Sequence, residues 1–372
     1  MRSLDATLEM QRPPEVQFGV GCLKNLPAWL AGKHYSRPFI VADPVNAARL
    51  DLLGISAPAV FGKVVPEPDL PNLEEAVAAA GSADVVIGFG GGSAMDLAKL
   101  VAVLAHSGKT FSEISGPNRA PERKVGLVQI PTTAGTGSEV GTRALVTDPQ
   151  TLAKVATESL HMLADIAIID PSLTVTVPPF VTAATGVDAM AHCVEAYTSR
   201  RSHPIVDAYA LQGIQLVGKY LKRAVDDGHD LEARAGLCLA AFYGGVCLGP
   251  VNTTAGHAVA YPLGTRHKLP HGIANALIFP HTLAANAGAV PQKTEAICDA
   301  LGQPASGREG VRRAARAFCE SLGLDMRLAS HGVPEDDLPR MAGEAHAIRR
   351  LLDWNPVNLT VEDILDIYRA AF

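Results

Sequence analysis

The chain has 372 residues, a formal net charge of −6 and no block of lysine or arginine. That balance argues against a nucleic-acid partner, because such binding depends on neutralising phosphates. No uninterrupted apolar run reaches the length of about 18 residues that a membrane span requires, so no membrane partner is expected. With 48% hydrophobic residues the chain can bury a sizeable core, and its length suits two domains or one large one.

MRSLDATLEMQRPPE at the start lacks the apolar core of a signal peptide. Cys22, Cys193, Cys238, Cys247, Cys298 and Cys319 are scattered, with no CxxC pair. They read as buried free thiols of a reducing compartment, and the expected location is cytoplasmic.

PFIVAD (38–43) has the apolar, β-branched character of a buried strand, followed by a helix over 46–53. LPNLEEAVAAAG (70–81) is helical and stops at glycine; ADVVIGF (83–89) is a second strand and SAMDLAKLVAVLAH (93–106) a second clear helix. VGLVQIPT (125–132) is a third strand. This alternation predicts a Rossmann-like α/β domain, a parallel sheet with helices on both faces. After IIDPSLTVTVPP (168–179) the apolar residues recur at three-to-four spacing, as in DAYALQGIQLVGKYLKRAV and LEARAGLCLAAFYGGVCLG. The expected boundary lies at Pro178–Pro179, dividing a 1–179 α/β dinucleotide-binding domain from a 180–372 all-α domain.

GFGGGSAMDLAK (88–99) follows a strand and opens a helix. Glycines permit close backbone approach, and a helix N-terminus offers free N–H groups to a pyrophosphate. Ser93 stands where the third glycine of GxGxxG would be, and Ser93 with Asp96 has capping-box spacing. Asp96 therefore reads equally as a helix cap, and Lys99, one turn on, as solvated or functional. A second polar loop, PTTAGTGSEV (131–140), follows the third strand. Two such loops at the ends of successive strands mark the place where open α/β sheets bind ligands. Asp43, ending PFIVAD, can accept hydrogen bonds from the two ribose hydroxyls of NAD and would repel the 2′-phosphate of NADP; it can equally begin a turn.

In TGVDAMAHCVEAYTS (185–199), Asp188 and His192 stand at i, i+4 and share one helix face; Glu195 lies close to the same stripe. In GHAVAYPLGTRHKLPHG (256–272), His257, His267 and His271 fall within fifteen residues. Asp188, His192, His257 and His271 together supply one carboxylate and three imidazoles, a set suited to Fe²⁺ or Zn²⁺. Pro270 argues against a regular helix joining His267 to His271, and His267 reads as a pocket residue.

GGGSAMDLAK, PTTAGTGSEV, DPSLTVTVPP, TGVDAMAHCVEAYTS, the step from His257 to His271 and NPVNLTVEDIL resemble, in the same order, the iron-containing (group III) alcohol dehydrogenases. The resemblance implies a dehydroquinate synthase-like architecture, with NAD(P) and a divalent metal held in a cleft between an N-terminal dinucleotide-binding domain and a helical domain. By motif position Asp188, His192, His257 and His271 match the metal ligands. Gly90, Gly91, Gly92 and Ser93 match the pyrophosphate loop, and Thr132, Thr133 and Ser138 the second cofactor loop. Lys154 falls where the family has a lysine near the cofactor, and Asp43 where many NAD-preferring members have aspartate. A homodimer is implied at the family level. One departure stands out: AYPLG replaces an AHPLG-like segment, so Tyr261 occupies the place of a histidine linked to proton relay. Tyr261 or His267 then becomes the relay candidate.

The expected reaction is reversible hydride transfer between a small or medium primary alcohol and NAD, the metal lowering the pKa of the hydroxyl. A maleylacetate reductase-like enzyme and a dehydroquinate synthase-like lyase are the alternatives.

Overall fold

The computed structural model describes residues 2–150 and 154–372. Two compact units emerge. One comprises Gln11–Thr133 and Gly137–Val175; the other comprises Thr176–Phe372 with the N-terminal residues through Met10 and the short segment Ala134–Thr136.

Among the described residues the first unit carries nine strands: β1 (Glu15–Phe18), β2 (Pro38–Ala42), β3 (Ala59–Phe61), β4 (Val85–Gly90), β5 (Gly116–Pro117), β6 (Gly126–Pro131), β7 (Arg143–Thr147), β8 (Lys154–Glu158) and β9 (Ile166–Ile169). Six of them form a parallel sheet in the order β1-β9-β6-β4-β2-β3. The alternation of side chains across a strand divides its core in two. Ile40, Ile87, Phe89, Val128 and Ile166 pack on one face with Leu26 and Leu30. Phe39, Val41, Val86 and Leu127 pack on the other with Leu97, Leu100 and Val101 of the Gly92–Leu104 helix. Both faces being covered explains why β2, β4 and β6 read as unbroken apolar runs. Gly88 is required where that helix crosses β4: a Cβ there would stand 2.9 Å from Ala98 Cβ and 2.4 Å from Gln129 Oε1. A small second sheet, β5-β8-β7, joins β7 and β8 antiparallel.

The structure trims the expected elements and adds others. The helix expected over 46–53 is instead two short pieces, Pro44–Ala47 and the 3₁₀ turn Leu50–Leu53. β1, β3 and the small sheet lie outside the elements expected from the pattern.

The second unit is helical, built on one large apolar core. The Pro179–Thr198 helix packs against Pro204–Asp226, Leu231–Leu248 and His271–Asn286. Five cysteines are buried within this unit, Cys22 in the other unit is half-buried, and all six are free thiols. Leu231–Leu248 is long and apolar enough to cross a membrane by length and average composition, although Glu232 and Arg234 interrupt its apolar run, and most of it is buried inside the protein. The break at Pro270 is observed. The Ala255–His267 helix ends at Lys268, whose φ is 59°, and the next helix begins at His271.

Helix spacing in this unit depends on small residues. A Cβ on Gly218 would lie 1.8 Å from the carbonyl oxygen of Ala300, which is backbone and cannot rotate away. Gly218→Ala should therefore lower stability by about 1–3 kcal/mol, the scale of core overpacking; an unchanged Tm would show that the two helices separate freely.

Candidate active site

The metal-ligand candidates come from three helices of the helical unit. Asp188 and His192 lie one turn apart on the Pro179–Thr198 helix, His257 in the first turn of Ala255–His267, and His271 opens His271–Asn286. One ligand atom from each lies within 4.8 Å of all the others. Asp188 Oδ1 is 3.6 Å from the Nε2 atoms of His257 and His271 and 3.9 Å from that of His192. The His192 and His257 rings stack with centroids 4.7 Å apart. Glycine permits the approach: a Cβ on Gly272 would lie 2.7 Å from the carbonyl oxygen of Ala184.

Glu195 organises the cluster from behind. Its Oε1 is 2.6 Å from His257 Nδ1, while Oε2 accepts hydrogen bonds from the Thr254 and His257 backbone N–H groups and the Thr254 hydroxyl. One carboxylate thus caps the Ala255–His267 helix and orients an imidazole. Donation of Nδ1–H to Glu195 makes Nε2, the atom that faces Asp188, the nitrogen a cation would take in exchange for its proton. Asn275, one turn after His271, donates from Nδ2 to Asp188 Oδ1 at 2.6 Å and lies 3.2 and 3.1 Å from the Nε2 atoms of His257 and His271.

The chemistry of this donor set tests whether a cation fits. Burial opposes an ionised Asp188, but His192, His271 and His257 outweigh it and hold the carboxyl well below the usual carboxylate range. Burial likewise opposes a charged His257, yet Glu195 and Asp188 push that imidazole up to about 10. Two buried carboxylates and three imidazoles with one neutral amide among them are short of positive charge. A divalent ion would supply it, and one carboxylate with three imidazoles suits Fe²⁺ or Zn²⁺.

Of the two relay candidates, Tyr261 borders this group. Its ring lies 6.2 Å from that of His271 and meets His257 edge-on at 6.5 Å. His267 is engaged elsewhere: Nε2 lies 2.7 Å from Asp337 Oδ2, in a network that also holds Arg266.

In the α/β unit the polar residues gather at the C-terminal ends of β2, β4 and β6. Asp43 Oδ1 accepts from the Val45 and Asn46 N–H groups, capping Pro44–Ala47, and Oδ2 accepts from Asn46 Nδ2 at 2.6 Å. That Oδ2 would lie 2.9 Å from a Cβ on Gly90, so Asp43 reaches the glycine turn. Gly90 has a φ of 159°, and Gly91 precedes the first turn of the Gly92–Leu104 helix. The Thr132 hydroxyl accepts from Asn46 Nδ2 at 3.2 Å, and a Cβ on Gly91 would meet Thr133 Oγ1 at 3.2 Å. Ser93 Oγ accepts from the Glu67 N–H, and Glu67 in turn pairs with Lys154 at 2.8 Å.

Three residues of this region take unexpected parts. The capping box at Ser93 and Asp96 does not form, because the helix begins a residue earlier, at Gly92. Asp96 instead accepts from the Leu145 N–H, the Ser138 hydroxyl and Lys99. Lys99 is buried, not solvated, and donates to Ser138 Oγ at 2.6 Å and to the Arg143 carbonyl at 2.8 Å. Burial draws its ammonium below the usual lysine range against the pull of Asp96. These bonds lock the second polar loop to the helix of the first.

Among the residues that sequence reasoning passed over, Asn275 had a signal: it stands at i+4 from His271, the same spacing that singled out Asp188 and His192. Glu67 had none, since Ser93 is 26 residues away, and for Asn46 only the Asp43 bond is local, its link to Thr132 spanning 86 residues.

Comparison with known proteins agrees with this geometry. Residues 13–171 match the family model described as iron-containing alcohol dehydrogenase, and residues 182–372 that of the Fe-containing alcohol dehydrogenase family, C-terminal. The chain is 36% identical to long-chain-alcohol dehydrogenase 1 of Geobacillus thermodenitrificans (strain NG80-2) over 97% of this chain and 95% of that protein. It is 33% identical to the NAD-dependent methanol dehydrogenase of Bacillus methanolicus, over 89% and 87%. A crystal structure of 1,3-propanediol oxidoreductase superposes with a TM-score of 0.92 at 29% identity, covering 99% of this chain and 100% of that one. The chain belongs to the iron-containing alcohol dehydrogenase family. It is an oxidoreductase acting on alcohols, of a family that uses NAD and a divalent metal.

Glu195→Gln keeps the shape but removes the charge that sets His257. Metal affinity should fall about 10–100-fold, measured by competition with a chromogenic chelator, with helix content unchanged by circular dichroism. Wild-type affinity in this variant would show that His257 needs no such support.

Proposed function

We propose that Asp188, His192, His257 and His271 hold one Fe²⁺ or Zn²⁺ ion, and that with it and NAD the protein interconverts a small or medium primary alcohol and its aldehyde. The observation that carries this reading is the convergence of four ligand atoms within 4.8 Å, three of their side chains buried. A divalent cation bound there would supply a Lewis acid for the alcohol or carbonyl oxygen, and bound NAD would supply the hydride acceptor or donor.

The chain's own residues supply position and charge. Glu195 keeps His257 in the tautomer that presents Nε2, and Asn275 fixes the Asp188 carboxylate. Tyr261 is the better relay candidate, since its ring borders the ligand histidines while His267 is engaged by Asp337. In the α/β unit, the amides at Gly90, Gly91, Gly92 and Ser93 receive the pyrophosphate, with Thr132 and Thr133 beside them. Asp43 receives the ribose hydroxyls, which favours NAD over NADP. Asp96, Ser138 and Lys154 act through the bonds that hold these loops in shape. The same reading includes a cytoplasmic homodimer with no nucleic-acid or membrane partner; the six free thiols and the net charge of −6 support the location and the absence of a nucleic-acid partner.

His271→Ala should lose bound metal and nearly all turnover while NAD binding, read by fluorescence titration, persists. Metal analysis alongside an alcohol and aldehyde panel tests the wild type. Full activity in a verified metal-free protein, or aldehyde conversion with no net change in NADH absorbance, would refute the assignment.

A further inference from the structure

The four candidate ligands are unequally covered. The side chains of Asp188, His192 and His257 are 3%, 5% and 2% exposed, whereas that of His271 is 27% exposed. The cluster therefore opens to solvent on the His271 side. Half-buried Tyr261 flanks that side, and beyond it stands Arg350, its guanidinium 5.7 Å from the centre of the Tyr261 ring. Arg350 is exposed, on the short Arg349–Leu352 helix.

The neighbouring cations are matched. Arg349 pairs with Asp353, Arg266 with Asp337 and Glu344, Arg340 with Glu344, and His267 with Asp337. Arg350 alone of this group has no acidic partner among the described residues. A guanidinium lying over an aromatic ring gains about 0.5–1 kcal/mol at an exposed site and keeps its N–H fork for a planar anion.

We propose that Arg350, seated on Tyr261 at the open side of the ligand cluster, binds an anionic group at the far end of the substrate. This rests on the dehydrogenase reading above and narrows it to a short aldehyde or alcohol ending in a carboxylate or phosphate. Tyr261 supplies the platform that fixes the guanidinium, so the departure from histidine at this position also serves substrate choice. The steps of 6.2 Å from His271 to Tyr261 and 5.7 Å from Tyr261 to Arg350 set an upper limit of about 12 Å, which a chain of about four to six carbons with its end groups spans.

The test compares kcat/KM on length-matched pairs: succinic semialdehyde against butanal and adipic semialdehyde against hexanal, with glyceraldehyde 3-phosphate as the phosphate arm. The wild type should favour an anionic member about tenfold, the scale of a partly exposed charge-assisted hydrogen bond, and added salt should shrink that preference. Arg350→Gln should abolish the anionic-to-neutral ratio through KM, and Arg350→Lys should restore part of it. Arg349→Gln, one residue away, should leave the ratio alone, and metal content should be equal throughout. A wild type that does not favour an anionic member, or a ratio untouched by Arg350→Gln, overturns the proposal while leaving the dehydrogenase reading intact. Failure to turn over any aldehyde, neutral or charged, with metal bound overturns both.

Discussion

The hydrogen bond between Glu195 and His257 is the constraint on which the rest of the site depends. A carboxylate buried in a helical core is costly unless every lone pair is engaged. Glu195 meets that condition by serving two backbone N–H groups, a hydroxyl and an imidazole. It thereby joins the Pro179–Thr198 helix to the start of the Ala255–His267 helix at the point where both present candidate ligands. Moving either helix would strand the charge, so the spacing of Asp188, His192 and His257 is set by electrostatics as much as by apolar packing. Gly256 makes the contact feasible, since a Cβ there would lie 2.6 Å from Glu195 Oε1.

The α/β unit follows the same logic with different groups. Buried Lys99 has no solvent, so it draws Asp96, Ser138 and the Arg143 carbonyl around itself. Glu67 links Ser93 to Lys154. The loops at the strand ends are thus held in place by side-chain bonds around the Gly90–Gly91 turn. Rigid positioning of main-chain donors is what a glycine-rich anion site requires.

Much of this was legible in the residues. β2, β4 and β6 announced themselves because both their faces are buried, and Asp188 with His192 because helical spacing is a local property. The match of motifs in order carried the family, and it singled out the four side chains that the structure brings together. The remainder was hidden for physical reasons. β1, β3 and β5 are four, three and two residues long, too short for a period-two pattern to rise above composition. The Ala255–His267 helix was masked by Gly256, Pro262 and Gly264, residues tolerated there because the surrounding core fixes the backbone. Asp96 carried a cap's spacing, but three donors from the chain around it decided its role. His267 stood among metal-like neighbours, and Asp337, 70 positions away, settled where its ring points.

The Leu231–Leu248 helix has a consequence for how the chain is made. As it leaves the ribosome it has the length and apolarity of a segment that insertion machinery and aggregation both act upon. Its main neighbour, Pro204–Asp226, precedes it in the chain and has already been synthesised when it emerges. Arg234 near its start, bonded to Thr182 and the Val177 carbonyl, ties it to a third, still earlier segment. The order of synthesis thus gives the nascent helix a partner in cis, and productive folding becomes a matter of docking onto it faster than onto a lipid surface or another chain.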